Sequence, residues 1–312
     1  MLVNRSGVLI ALLLSSAVAF GDTLVIAHRG ASGYLPEHTL PAVAMAYAMG
    51  SDYIEQDVVL TKDDKIVVLH DITLDHTTDV ASVYPDRARD DGRYYAIDFT
   101  LAEIRKLNVF ERRNGSGHAV FPDRFPTEVE FLRVPTLAEE IELIRGMNAS
   151  TGRDVGIYVE LKKPGFHADE DKAFPTIVLE ELKKYGFADA DQRVFVQCFD
   201  ADTLKDMRAQ TKLRLIQLLD DEALLAANAD EIADYADGVG FSIQYFDAAA
   251  GFAKKAQDAG LQVHPYTFRA DQFPPYADSF TGLLDMFIGD LGVDGLFTDH
   301  PDLVRQYLND RL

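Results

Sequence analysis

The chain has 312 residues, of which 47% are hydrophobic and 26% charged, a composition that suits a large folded domain and argues against a disordered chain. Its formal net charge of −21 leaves no basic footprint, which excludes nucleic acid and an anionic membrane surface as the main partner. The single cysteine, Cys198, cannot form an intrachain disulfide, so stability has to come from a hydrophobic core.

The first twenty residues have the layout of a secretory signal peptide. The basic Arg5 precedes an apolar stretch over residues 8–14, and the small residues of Ala17-Val18-Ala19 predict cleavage after Ala19. The apolar stretch is too short for a good membrane span, and an uncleaved anchor is the alternative. We therefore expect residues 1–19 to be a signal peptide and the mature protein to be periplasmic, or secreted, without stable membrane insertion.

Nine short runs rich in Val, Ile, Phe and Tyr follow, and each is predicted to be a β-strand. They lie at residues 23–27, 52–60, 65–70, 155–161, 193–199, 213–219, 237–243, 261–268 and 294–299. Amphipathic stretches that predict helices lie between most of them, among them residues 40–50, 136–148, 174–186 and 247–260. Repeated βα units imply a parallel sheet with right-handed crossovers.

Nine strands are one more than an eight-stranded barrel needs. The runs 52–60 and 65–70 are joined only by the turn-forming segment TKDDK, which is too short for a βαβ crossover, so we predict an antiparallel hairpin. The remaining units favour a (β/α)₈ TIM barrel over an open doubly wound sheet. Residues 71–135 lack a clear alternation of helix and strand, and we expect them to form a small insertion domain within a barrel domain over residues 20–312.

Ionisable residues collect where predicted strands end, and in a barrel these ends share one mouth. His28 and Arg29 directly follow the first strand, and the hairpin register should place His70 roughly opposite Asp57. Two histidines without an evident Ser or Cys nucleophile suggest general acid–base chemistry across one bond, as in phosphodiester cleavage.

Paired carboxylates accompany these histidines. Glu55 and Asp57 lie two apart on one strand face, and burying both is costly unless a cation or hydrogen-bond donors neutralise them; a structural salt bridge is the alternative. Glu160 and Lys162 repeat the spacing at the end of a later strand. Three carboxylates suit a hard cation such as Ca²⁺ or Mg²⁺ better than Zn²⁺, and Arg29 with Lys162 would add positive charge for an anionic substrate oxygen.

These residues lie in segments that resemble the glycerophosphodiester phosphodiesterase family, especially its periplasmic members. The matching segments are HRGASGYLPEHT at 28–39, YIEQDVVLTKDDKIVVLHD at 53–71, DRARDDGRYYAIDFTLAEI at 86–104, IYVELKKP at 157–164, VFVQCFDADTL at 194–204, VHPYTFR at 263–269 and GLFTDHPD at 295–302. The resemblance implies a barrel like that of phosphatidylinositol-specific phospholipase C, with a small insertion domain. It also implies hydrolysis of glycerophosphodiesters, such as glycerophosphocholine and glycerophosphoethanolamine, to sn-glycerol 3-phosphate and an alcohol, usually with Ca²⁺.

Carried over by position, the resemblance implies three sets of site residues. His28 and His70 correspond to the catalytic acid–base pair. The metal ligands correspond to Glu55, Asp57 and Glu160. The substrate contacts are expected to be Arg29, Lys162, Glu37, Gln197, Phe199, His264 and Tyr266. A packing role is the alternative for Phe199 and for the pair His264 and Tyr266, and His38 is interpreted as a residue at the start of a helix.

Two segments depart from the periplasmic members of the family. DDEALLAANA at 220–229 replaces a longer excursion, and GFSIQYF at 240–246 differs from the expected motif, so the headgroup preference is open. A phospholipase D-like enzyme acting on intact lipids and a non-catalytic surface binding protein on the same fold are the alternative functions. The sequence leaves open the oligomeric state, the metal used, and the choice between a cyclic phosphate intermediate and direct attack by water.

Overall fold

A parallel barrel is the centre of the structure, a computed structural model that describes residues 23–125, 129–190 and 192–311. The predicted signal peptide over residues 1–19 lies outside the described residues. Within them the strands are β1 (Leu24–Ala27), β2 (Tyr53–Leu60), β3 (Ile66–Val68), β4 (Gly156–Leu161), β5 (Val194–Cys198), β6 (Arg214–Leu219), β7 (Gly238–Phe241), β8 (Gln262–Val263) and β9 (Gly295–Thr298). All except β3 are parallel and follow the order β8-β7-β6-β5-β4-β2-β1-β9.

The ring closes between the segment after β8 and strand β9. Phe268 N donates to Phe297 O at 2.8 Å, and Phe297 N donates to Pro265 O at 3.0 Å. Strand β8 is shorter than the predicted run over residues 261–268, since Pro265 has no amide hydrogen with which to continue a ladder. The closed ring confirms the predicted (β/α)₈ barrel.

Helices connect the strands and cover the outside of the barrel. They are α1 (Leu40–Ala48), α2 (Val80–Val83), α3 (Leu101–Ile104), α4 (Leu137–Thr151), α5 (Pro164–Asp169), α6 (Phe174–Lys184), α7 (Ala201–Arg208), α8 (Asp221–Ala226), α9 (Ala229–Ala233), α10 (Phe246–Asp258), α11 (Phe280–Leu284) and α12 (Pro301–Asn309). Helix α4 begins where predicted, because Thr136 and Glu139 form a capping box. It ends three residues after the predicted end at 148, where Gly152 adopts a left-handed φ of 73°. In the part of the chain that the structure describes, no helix is both long and apolar enough to cross a membrane.

Strand β3 pairs with β2 as the predicted antiparallel hairpin. The predicted register is wrong by one residue, because Leu69, not His70, lies opposite Asp57 and donates its N–H to Asp57 O at 2.9 Å. The turn contains three residues, 62–64, since Asp64 adopts a left-handed φ of 57°. His70 therefore stands in the bend that follows the strand, where the pleat no longer fixes its direction.

The segment predicted as an insertion, residues 71–135, packs over the outer side of the hairpin. Its buried side chains, among them Phe99, Ile104 and Leu107, form a hydrophobic cluster with Val59 and Val67 of the hairpin. Helices α2 and α3 lie in this segment. The segment thus has its own small core and packs against the hairpin of the barrel.

Candidate active site

A cavity of about 230 Å³ opens at the carboxyl ends of the strands. Its lining includes eight of the twelve residues predicted for the site: His28, Arg29, His70, Glu160, Lys162, Gln197, Phe199 and Tyr266. The lining also contains Ser242, Gln244, Thr267 and Arg269. The barrel thus brings groups from distant parts of the chain to one mouth.

His28 follows β1 and is oriented by a buried aspartate. Its Nδ1 lies 2.6 Å from Oδ1 of Asp299, which directly follows β9. Burial raises the pKa of Asp299, but the positive Arg269, whose Nε donates to Oδ2 at 2.8 Å, helps to lower that pKa well below its usual range. An ionised carboxylate only accepts hydrogen bonds, so His28 carries its proton on Nδ1 and leaves the Nε2 lone pair unprotonated.

His70 repeats this arrangement. Its Nδ1 lies 2.7 Å from Oδ1 of Asp71, whose own pKa is lowered because hydrogen bonding and nearby positive charge outweigh its burial. Burial and the charges of Arg29 and Lys162 lower the pKa of His70 to about 3. Burial and Arg29 lower the pKa of His28 to about 4. Both imidazoles are therefore neutral near pH 7 in the protein alone, and each can accept a proton on Nε2.

Three buried carboxylates lie beside the histidines. Asp57 and Glu160 are paired in register between β2 and β4, and Lys162 Nζ lies 2.5 Å from Glu160 Oε1 and 3.4 Å from Asp57 Oδ1. Burial and the negative Asp57 raise the pKa of Glu55 well above its usual value. Burial, opposed in part by Lys162, raises the pKa of Glu160 to about 7. Without a further cation, these carboxyl groups do not all ionise near neutral pH.

A group that could hold a metal ion contains a residue that the sequence did not indicate. One ligand atom each from His38, Glu55 and Asp57 lies within 4.8 Å of the others, and His38 Nε2 is 2.8 Å from Asp57 Oδ2. His38 does precede the helix cap Thr39, as interpreted, but its buried ring turns inward from a left-handed backbone of φ 60°. Asp57 Oδ1 is buried with no hydrogen-bond partner among the described residues, which fits an oxygen available to a cation. Glu160 lies beside this group and accepts a hydrogen bond from Lys162.

Arg29 connects the loop after β1 with these carboxylates. Its backbone is left-handed at φ 58°, a conformation that is rare for a non-glycine residue, and its N–H donates to Glu55 Oε2 at 2.7 Å. Its guanidinium donates to Glu37, which also accepts two hydrogen bonds from Arg112, at 2.6 and 2.8 Å. Glu37, predicted as a substrate contact, does not line the cavity, because its carboxylate is engaged by these two guanidinium groups.

Aromatic side chains and an amide complete the cavity wall. Gln197 is buried, with Nε2 3.5 Å from Glu160 Oε2. Phe199 is 43% exposed and meets the Tyr266 ring edge-on at 6.0 Å between centroids. Lys162 Nζ lies 5.8 Å from the Phe199 centroid, so this wall combines an apolar face with positive charge.

His264, predicted as a substrate contact, is instead part of the barrel interior. It is fully buried, its Nδ1 lies 2.9 Å from the Tyr158 hydroxyl, and its ring meets Phe195 edge-on at 5.3 Å between centroids. His264 and Tyr266 do follow the same strand, but His264 lies one layer deeper and does not line the cavity. The packing alternative is therefore the one that the structure supports.

Besides His38, five site residues were missed by the sequence reasoning. Arg269 directly follows the predicted strand over residues 261–268, and Asp299 ends the predicted strand over residues 294–299. The rule that strand ends carry chemistry could therefore have found both. Asp71 could have been found as the neighbour of His70. Arg112 and Arg124 lie in the segment 71–135 and bind Asp71 and Asp299, respectively. Neither the periodicity of that segment nor the position of these arginines in it indicates this role.

Comparison with known proteins identifies relatives that match most of the chain. Residues 28–303 match the model of the glycerophosphoryl diester phosphodiesterase family. The glycerophosphodiester phosphodiesterase of Haemophilus influenzae is 38% identical over 92% of this chain and 90% of its own length. That of Treponema pallidum is 34% identical over 92% of both chains. An Oleispira antarctica phosphodiesterase, solved in complex with the product sn-glycerol-3-phosphate, superposes with a TM-score of 0.67 at 23% identity, over 92% of this chain and 96% of its own.

Proposed function

Because the chain belongs to the glycerophosphoryl diester phosphodiesterase family and is a glycerophosphodiester phosphodiesterase, we propose that it hydrolyses deacylated phospholipids to sn-glycerol 3-phosphate and an alcohol. One observation carries this proposal: two imidazoles, each with an aspartate on Nδ1, line the same cavity as Arg29 and Lys162. The product held by the Oleispira antarctica phosphodiesterase supports the same substrate class. Glycerophosphocholine and glycerophosphoethanolamine are the substrates that we expect.

The cations on the cavity wall would bind the phosphodiester. Arg29, Lys162 and Arg269 line the cavity and suit an anionic phosphoryl group. His28 Nε2 would accept the proton of the attacking oxygen as the new P–O bond forms. His70, once protonated, would donate its proton to the alcohol oxygen as the other P–O bond breaks. The substrate anion beside His70 favours the imidazolium form that this second role requires.

A wider groove beyond His70 would receive the alcohol. This groove of about 800 Å³ shares His70, Lys162 and Phe199 with the cavity and extends past Tyr95 and Phe166. Since His70 stands where the two spaces meet, it is placed to protonate an alcohol that leaves into the groove. This arrangement supports His70 as the acid and His28 as the base.

We propose that a divalent cation, Ca²⁺ or Mg²⁺, binds beside the histidines. Glu55 and Asp57 would hold it, together with His38 or Glu160. An oxygen-rich set with one buried carboxylate oxygen that accepts no hydrogen bond among the described residues fits a hard cation. When bound, the ion would supply positive charge to the phosphoryl oxygens. The sequence of residues 1–19 supports a further proposal, that the enzyme acts in the periplasm.

Release of sn-glycerol 3-phosphate from a panel of glycerophosphodiesters tests the proposed function. We expect turnover of glycerophosphocholine and glycerophosphoethanolamine that a chelator abolishes and that added Ca²⁺ or Mg²⁺ restores. Phosphatidylcholine in the same panel tests the phospholipase D-like alternative. If folded, metal-supplied protein released no glycerol 3-phosphate from any member of the panel, the proposal would be wrong.

A further inference from the structure

Two arginines from the segment 71–135 reach the aspartates that orient the site histidines. Arg112 Nη1 donates to Asp71 Oδ2 at 2.7 Å, and Arg124 Nη2 lies 2.9 Å from Asp299 Oδ2. In both cases the histidine uses the other carboxylate oxygen, Oδ1. Each imidazole is thus paired with an aspartate, and that aspartate is in turn paired with an arginine of the insertion.

Arg112 is held by Glu37, in the barrel loop that follows β1. Its Nε and Nη2 bind both oxygens of Glu37, at 2.8 and 2.6 Å, and leave Nη1 for Asp71. Only 13% of the Arg112 side chain is exposed. A planar guanidinium that is fixed on one edge by a bidentate carboxylate has a defined direction for its remaining N–H groups. Arg112 therefore fixes the rotation of the Asp71 carboxylate.

Arg124 is held as firmly on the opposite side of the mouth. Its Nε and Nη2 bind both oxygens of Asp271 at 2.8 and 2.9 Å, and its Nη1 donates to Ser32 O at 3.2 Å. The ring of Phe121 lies 3.6 Å from its Cζ, and Arg124 is only 5% exposed. Two barrel loops and one insertion residue thus determine where this guanidinium meets Asp299.

We propose that Arg112 and Arg124 are positioning residues through which the insertion holds both catalytic histidines in the Nδ1–H tautomer, with Nε2 directed to the substrate. The proposal rests on the histidine roles proposed above. A guanidinium does not lose its proton, so it binds one oxygen of each aspartate permanently and turns the other towards the imidazole. Hydrogen-bond partners of metal-ligating histidines typically contribute about ten- to a hundredfold to affinity or activity, and we expect an effect of similar size on kcat here.

The two arginines should not contribute equally. Asp299 Oδ2 also accepts from Arg269 Nε at 2.8 Å, so its orientation is partly retained without Arg124. Apart from Arg112, Asp71 Oδ2 has only His76 Nδ1, at 3.4 Å, as a neighbouring ion-pair nitrogen among the described residues. Loss of Arg112 should therefore disturb His70 more than loss of Arg124 disturbs His28.

Nitrogen NMR of the histidine rings tests the proposal without relying on turnover. The full chain is labelled with ¹⁵N-histidine, the rings are assigned with His28→Gln and His70→Gln, and long-range ¹H–¹⁵N correlations report the tautomer of each ring. Arg112→Met should shift His70 from a pure Nδ1–H pattern to a mixture and leave His28 unchanged. Arg124→Met should give a smaller change at His28 alone.

A third arginine of the insertion provides the matched control. Arg89 pairs with Asp98 and with Glu170, which directly follows helix α5, so it also fixes the insertion to the barrel without reaching either histidine's aspartate. Arg89→Met should lower thermal stability and leave both tautomers unchanged. If a methionine variant does not fold, the lysine variant replaces it, because lysine retains one charge but cannot bind two carboxylates in the same planar fork.

Activity provides the second readout. We expect Arg112→Met to lower kcat about tenfold, with KM within about twofold, because an orienting group acts on the reacting imidazole. Unchanged tautomers in folded Arg112→Met and Arg124→Met, or tautomers that change equally in Arg89→Met, would overturn the proposal. The expected NMR changes in a protein without phosphodiesterase turnover would support the positioning role and contradict the proposed function.

Discussion

Replacing Asp299 with asparagine should prevent His28 from acting as the base, without changing the shape of the site. Asp299 is only 2% exposed, its Oδ2 is bonded to Arg269 and approached by Arg124, and its Oδ1 lies 2.6 Å from His28 Nδ1. In Asp299→Asn the two guanidinium groups require the single carbonyl oxygen, so the amide NH₂ must face the imidazole. Nδ1 then has to accept a hydrogen bond, and the ring proton moves to Nε2, which is the atom proposed to accept the substrate proton.

The magnitude follows from losing the correct tautomer in a geometry that is otherwise intact. An equivalent change in a histidine-based active site costs about 10⁴ in kcat, and the full contribution of a general base is about 10² to 10⁴. Because Arg269 and Arg124 retain an acceptor, we expect kcat for glycerophosphocholine to fall about 10³-fold, which corresponds to about 4 kcal/mol. KM should change less than about threefold, because the cavity cations are untouched.

The assay is steady-state release of glycerol 3-phosphate, with circular dichroism to verify folding. Asp302→Asn is the matched control. Asp302 lies three residues after Asp299 in the chain, accepts a hydrogen bond from the Tyr34 hydroxyl and makes no hydrogen bond to His28. It should leave kcat within about twofold, as expected for a substitution remote from the reacting groups. If Asp299→Asn retained kcat within tenfold of the unmodified protein, the tautomer argument would be refuted.

Three further predictions concern Glu55 of the metal group, His264 of the barrel interior and the buried Glu140 of helix α4. Glu55→Gln should weaken Ca²⁺ or Mg²⁺ binding, measured by calorimetry, by at least about tenfold, because it removes a charged oxygen ligand; unchanged affinity would remove Glu55 from the ligand set. His264→Leu should cost about 1–3 kcal/mol of unfolding free energy in urea and leave kcat/KM within about twofold, since this ring packs below the cavity; a large loss of kcat/KM would return it to the site. Burial raises the pKa of Glu140 well above 4.5, so the native state favours its neutral form and stability is lost as pH rises from about 5 towards that higher pKa. Glu140→Gln should therefore raise the Tm at pH 8 more than at pH 5, and an equal Tm change at both values would contradict this assignment.

Most of the barrel could be predicted because its sequence signals are local. Alternating apolar runs and amphipathic helices specify βα units, and a link too short for a crossover specifies the hairpin. The strand-end rule placed His28, Arg29 and Lys162 at the mouth for the same reason. In a parallel barrel all strands end at the same face, so the last residues of each strand lie at the mouth however far apart they are in the sequence.

The parts that were missed depend on non-local geometry. A left-handed backbone turns His38 back towards Asp57, and no spacing rule contains that turn. His264 follows the same strand as Tyr266, yet depth along the barrel axis separates an interior residue from a cavity residue. Arg112 enters the site from a segment without periodicity, where only the folded structure shows what it binds.

Turnover and ligand binding by the two histidine variants test the central claim most directly. His28→Ala and His70→Ala are measured for glycerol 3-phosphate release from glycerophosphocholine and, by calorimetry, for binding of sn-glycerol 3-phosphate in the presence of the restoring metal. We expect each variant to lose at least about 10² in kcat, as general acid–base roles imply, while the Kd changes less than about fivefold because Arg29, Lys162 and Arg269 remain. Near-normal kcat in folded His70→Ala would contradict the two-histidine account.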